Sequence, residues 1–199
     1  MAYRDFTLSQ VKQQFGLNIV TGVFFTDPPK LSPREWLPNL LDRSVPFVGG
    51  FSNEKVRSEL IVAPLLFEFR ELLERQIGLF SGTDFSVDVE LGLSGACDFL
   101  LTRSKSELII EDPAVIVIQA QKGDFNATWG QCAAQMVAAQ KFNRAKGQEL
   151  PIYGSVTTGT FWQFLKLTGQ DLTIDVTEYS LKPIDRILGI LKWTIDGSE

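Results

Sequence analysis

Polar side chains interrupt two segments that are otherwise apolar. Asp98 breaks the run Gly95–Leu101, GACDFLL, while Gln119 and Gln121 break the end of Ala114–Lys122, AVIVIQAQK. A carboxylate in so apolar a segment must be solvated, paired or bound to a cation, because burying it alone is costly. Gln119 and Gln121 are two residues apart, so on a strand both amides project from the same face at its carboxyl end. An amide neither takes a proton near neutral pH nor supplies positive charge. Polar residues are also ordinary where a strand emerges into water, and for the two glutamines alone that account stands beside the functional one.

The elements that must position these groups are legible nearby. Val115 to Ile118 is a β-branched run bounded by Pro113, with Gly123-Asp124 as a turn, and it predicts a buried central strand. Phe85–Leu93 alternates, with Phe85, Val87, Val89 and Leu91 on one face, which predicts a half-buried strand. A turn at Gly92–Gly95 would fold it against the Asp98 segment as an antiparallel hairpin. Glu90 then lies either near the same cleft as Asp98 or in solvent. A long helix is expected from Asn53 to Ile77, capped by Ser52, stopped by Gly78, and kinked or split at Pro64. Glu59 is in line with Val62, Leu66, Phe69 and Leu73, which assigns it to the apolar side, with an ion pair to Arg70 or another base near the helix start as the alternative. Asn126–Arg144 reads as a second helix on which Gln131 and Gln135 share a face. Its small residues Ala133, Ala134, Ala138 and Ala139 allow close approach to a sheet.

The remaining chain supplies the frame. Thr7-Leu8-Ser9 caps a short helix, SQVKQQFG, that Gly16 ends, and Leu17–Phe25 reads as a strand. Ser32-Pro33 opens a helix through about Leu41, and Phe47–Gly50 reads as loop. Strands are expected at Pro151–Thr158, Thr160–Leu167 and Leu172–Ser180, followed by an amphipathic helix from Pro183 to near Gly197. Phe161, Trp162 and Phe164 are assigned to sheet packing, since a base-stacking platform would call for flanking Arg or Lys.

A helix with an early acid, a hairpin carrying Asp98, a strand ending in a polar-x-polar pair, then a helix: from roughly Ser52 to Gly159 this order resembles the PD-(D/E)XK nuclease superfamily. That family's strand pair reads Asp, then (Asp/Glu)-x-Lys, often within V-E-A-K-K. Here the segment is Ile118-Gln119-Ala120-Gln121-Lys122, so Asp98 matches while the acid and the lysine are both glutamine. The resemblance implies an α/β fold with a central mixed sheet flanked by helices, a restriction-endonuclease-like core. It further implies phosphodiester hydrolysis of DNA or RNA with Mg²⁺ as cofactor. The catalytic positions would be Asp98, Gln119, Gln121, Lys122 and Glu59, with Asp98, Glu59 and Gln119 toward the metal. Gln131 inherits a possible contact to the nucleic-acid backbone. Glutamine lacks the net charge that strengthens metal binding and the basicity that activates water, so the site is expected to be weakened. Glu59 restores one carboxylate. Lys122 replaces the lysine only through a β-bulge or a strand that has already ended.

Composition narrows the classes. The 199 residues fit one domain, hydrophobic residues make up 44% and charged residues 22%, as in ordinary globular proteins. The absence of histidine removes Ser-His and Cys-His pairs and histidine metal sites. Cys97 and Cys132 show no metal-ligand spacing and read as reduced core residues of a cytoplasmic protein. No segment approaches the length of a membrane span. The net charge of −5, without a Lys/Arg cluster, argues against nonspecific adhesion to nucleic acid. Three functions stay open: a nuclease-like protein with an eroded metal site acting as a binding or regulatory module, an active Mg²⁺-dependent nuclease, or a structural or assembly protein without a nucleic-acid role. The sequence does not specify an oligomeric state.

Overall fold

The β-branched run forms β4 (Ala114–Ala120), and the sheet extends from it in both directions. On one side β3 (Ala96–Thr102) pairs antiparallel with β4, and β2 (Gly78–Asp84) continues antiparallel to an edge. On the other side β5 (Ile152–Thr157) lies parallel to β4, followed by antiparallel β6 (Phe161–Thr168) and β7 (Asp171–Asp175). β1 (Asn18–Gly22) closes this side as an edge strand parallel to β7, and the short β8 (Tyr179–Ser180) adds to β6. The computed structural model describes residues 1–25, 27–49, 53–104, 109–110, 114–120 and 125–196; of residues 115, 117, 119 and 125–127 it describes the backbone alone.

A parallel pair cannot be joined by a tight turn, and α5 (Phe125–Ala145) supplies the crossover between β4 and β5. Its small residues serve the purpose expected of them: Ala133, Ala134, Ala138 and Ala139 are buried against the sheet. Contact is so close that a side chain at Gly154 on β5 would collide with the Met136 and Cys132 sulfurs. The far end of α5 is pinned by Asn143, whose amide accepts from Ala114 N–H at 2.9 Å and donates to Ala114 C=O at 2.8 Å. α1 (Leu8–Phe15) packs on α5; it opens with a Thr7–Gln10 capping box and ends at Gly16, whose φ of 65° suits glycine. The other sheet face is covered by α2 (Trp36–Gly49), α4 (Ala63–Leu72) and α6 (Ile184–Asp196), which bury Leu41, Leu65, Phe69 and Leu188 with Phe99, Ile116 and Phe164. The protein is therefore α/β, a mixed sheet flanked by helices.

Several sequence expectations are corrected. Phe85–Leu93 is not a strand. Asp88 and Leu93 bond each other's backbone, the Asp88 carboxylate accepts Leu91 N–H at 3.1 Å, and Val89 and Leu91 are exposed. A local side-chain-to-backbone turn has overridden the alternation. The strand facing β3 is instead the preceding β2, where Leu79 and Phe80 pair with Leu101 and Leu100. The long helix ends at Leu72 rather than Ile77, because Glu74 and Arg75 adopt left-handed φ values of 52° and 58°; Gly78 begins β2. α2 starts at Trp36 and runs through Pro46, so Phe47 to Gly49 are helical, and Gly50 lies outside the described residues. Buried Glu68 fixes its entry, accepting Arg34 N–H at 2.6 Å and Trp36 Nε1–H at 2.7 Å. The expected strand 172–180 divides into β7 and β8. Trp162 and Phe164 are core residues as expected, whereas Phe161 is exposed.

Candidate functional site

Asp98 lies within β3, half-buried, where one carboxylate oxygen accepts the N–H of Ala120 at 2.9 Å. That bond ties the acid to the carboxyl end of β4, as the order of strands suggested. Beside it opens a cleft of about 580 Å³. Asn53, Glu54, Lys55, Ser58 and Glu59 line one wall, Ser81 and Gly82 of β2 another, and Ala120 and Gln131 close it from β4 and α5. Asp98, Glu59 and Gln131, singled out from distant parts of the sequence, thus share one cavity.

The wall carrying Glu59 has an unusual helix. α3 (Glu54–Arg57) is capped by Asn53, whose side chain accepts Lys55 N–H at 2.9 Å, while Ser52 lies outside the described residues. Ser58–Val62 then forms a π-helical turn in which Ala63 N–H bonds to Ser58 C=O, and α4 follows with Pro64 in its first turn. Pro64 has no N–H, and in an α-helix its ring would press on the carbonyl four residues earlier; the wider turn accommodates both. Pro64 therefore splits the helix, as expected. The wider turn also breaks the spacing that had placed Glu59 with Val62 and Leu66. The Glu59 side chain is 61% exposed and pairs with Lys55 at 3.7 Å, whereas Arg70 pairs with Glu71. Its assignment to the apolar side is corrected on that ground.

Of the other predicted site residues, Gln119 belongs to β4 opposite Val156 of β5, with its backbone alone described. Gln121 and Lys122 lie outside the described residues, as do Asp112, Pro113, Gly123 and Asp124. Glu90 is on the exposed turn beyond β2 and does not line the cleft. Gln135 is buried, donating to Ala96 C=O at 3.3 Å, and it too is outside the cleft lining. Lys55, Ser58 and Ser81 were missed by the sequence reading. For Lys55 the available signal was its position four residues before Glu59.

Among the described residues the lining carries three carboxylates, Glu54, Glu59 and Asp98, and the ammonium of Lys55. Such an excess attracts a cation and repels a bare phosphate. Among the described residues, however, no three acidic or cysteine side chains converge closely enough to hold a metal ion. Cys97, beside Asp98 in the chain, is no nucleophile, since burial pushes its thiol well above the ordinary range; burial likewise pushes Cys132 up to about 12. Both cysteines are free and buried. Among the described residues no helix is long and apolar enough to cross a membrane. In comparisons with protein-family models and with curated proteins, nothing matches this chain.

Proposed function

We propose that the protein is a PD-(D/E)XK nuclease-like binding or regulatory module whose metal site is eroded. The observation that carries this reading is the shared cleft, in which Asp98 of the hairpin, Glu59 of the preceding helix and Gln131 of the following helix meet at the end of β4. The element order supports it: helix, β2, β3, β4, helix, then parallel β5 is the order of a restriction-endonuclease-like core. Glutamine at positions 119 and 121 removes the acid and the lysine of the strand motif.

The experiment is anisotropy of labelled DNA and RNA oligonucleotides, with and without Mg²⁺, alongside a cleavage assay. Binding without cutting is expected, weakening as salt rises. Asp98→Ala is expected to leave metal-free binding no weaker, because the acid repels phosphate. Absence of binding to either nucleic acid would overturn the reading. A second reading, an active Mg²⁺-dependent nuclease, is favoured by one observation: Glu59 is exposed, lines the same cleft as Asp98, and its ion pair to Lys55 is long at 3.7 Å. Metal-dependent cleavage abolished by both Asp98→Ala and Glu59→Ala would establish it in place of the first.

A further inference from the structure

The edge strand β1 carries a feature unrelated to the cleft. In a parallel pair, alternate residues turn both backbone groups toward the neighbouring strand and the others turn theirs away. Asn18 N–H donates to Gln170 C=O at 2.8 Å, and Gly22 C=O accepts Val176 N–H at 3.0 Å. Asn18, Val20 and Gly22 therefore face β7. The N–H and C=O groups of Ile19 and Thr21 face outward, where no strand pairs with β1 among the described residues.

Natural sheet edges are blunted by lysine, proline, inward charge or a bulge. The segment Asn18-Ile19-Val20-Thr21-Gly22 contains none of these. Exposed apolar side chains collect beside it instead: Val20 is 42% exposed, and Val23 and Val176 are each 59% exposed. The opposite edge differs, since β2 carries Gly82 with a left-handed φ of 62° and ends in Asp84.

We infer that β1 is the seam of a homodimer in which the sheet runs through two copies of the chain. The strand is complementary to itself. Placed antiparallel about a two-fold axis at Val20, it sets Ile19 opposite Thr21 of the second copy, and each such pair exchanges two backbone hydrogen bonds. Val20 then meets its own symmetry mate in the closer, non-hydrogen-bonded position. Because the strand is uncharged, the symmetry brings no like charges face to face. That neutrality, the outward pairs in closing register and the apolar rim select a second copy as the occupant.

The test combines light scattering across a range of protein concentration with amide hydrogen exchange. The wild type is expected to dimerise, with the Ile19 and Thr21 amides becoming protected as concentration rises. The Val20 amide, already directed at β7, serves as the internal control. Val20→Lys sets two ammonium groups across the axis, and Thr21→Pro deletes an outward N–H while leaving the ladder to β7 intact. Both are expected to be monomeric with an unchanged circular dichroism spectrum. A wild type that stays monomeric throughout, or a dimer whose Ile19 and Thr21 amides exchange freely, would overturn the inference without recourse to any variant.

Discussion

Asp98 was identifiable because a carboxylate in an apolar run needs a partner, and the structure supplies Ala120 N–H. Glu59 was found in sequence but assigned to the wrong face, since a spacing of three and four presumes an unbroken α-helix. Asp88 lies in the run expected to be a strand; it is instead the residue that organises a turn. Its carboxyl is held below the ordinary carboxylate range, first by the hydrogen bond from Lys141 and then by Leu91 N–H. A lowered folded value means the interaction stabilises above the ordinary carboxylate range and is lost as pH falls through the depressed value. Lys141→Met should return the Asp88 titration toward its ordinary position in a carboxyl-detected NMR experiment. It should also make the turn less protected at neutral pH but not in strong acid. An unchanged Asp88 titration would show that the backbone bond alone sets it.

At the scale of elements, most helices and strands follow from period and punctuation, and three of the failures share one cause. Where a side chain or a backbone reversal satisfied the chain locally, periodicity lost. Asp88 folded an alternating run into a turn, Pro64 widened a helix, and Glu74 with Arg75 ended another before its glycine. Packing between elements was less legible. Gly189 sits inside α6, where a glycine ordinarily weakens a helix, and nothing in the local sequence accounts for it. In the structure the chain passes so close that a Cβ there would strike the Pro29 carbonyl. Gly189→Ala should therefore destabilise the protein by about 1–3 kcal/mol despite alanine's better helix propensity. Urea unfolding measures this, and a stabilised variant would mean the crossing segment moves aside without loss.

For the whole molecule, the strand order places the end of β4 between the hairpin and the two helices that carry the remaining site residues. On the proposed reading, the double variant Gln119→Glu with Gln121→Lys should show Mg²⁺-dependent cleavage that the parent lacks and that Asp98→Ala removes again. Absence of cleavage in the double variant, with Mg²⁺ binding unimproved by calorimetry, would count against glutamine as the cause. The sequence by itself determined the α/β class, the core strand, the acid within β3 and the helix that follows β4, because apolar period, β-branching and turn residues act over a few neighbours. Only the tertiary structure decided that Glu59 faces the cleft and not the core, that Lys55 and Ser81 line it, and that β1 is an open edge. Those facts depend on a π turn and on pairings between residues more than a hundred positions apart, such as Asn18 with Asp171. No local pattern encodes them, since they arise from how the elements share one core.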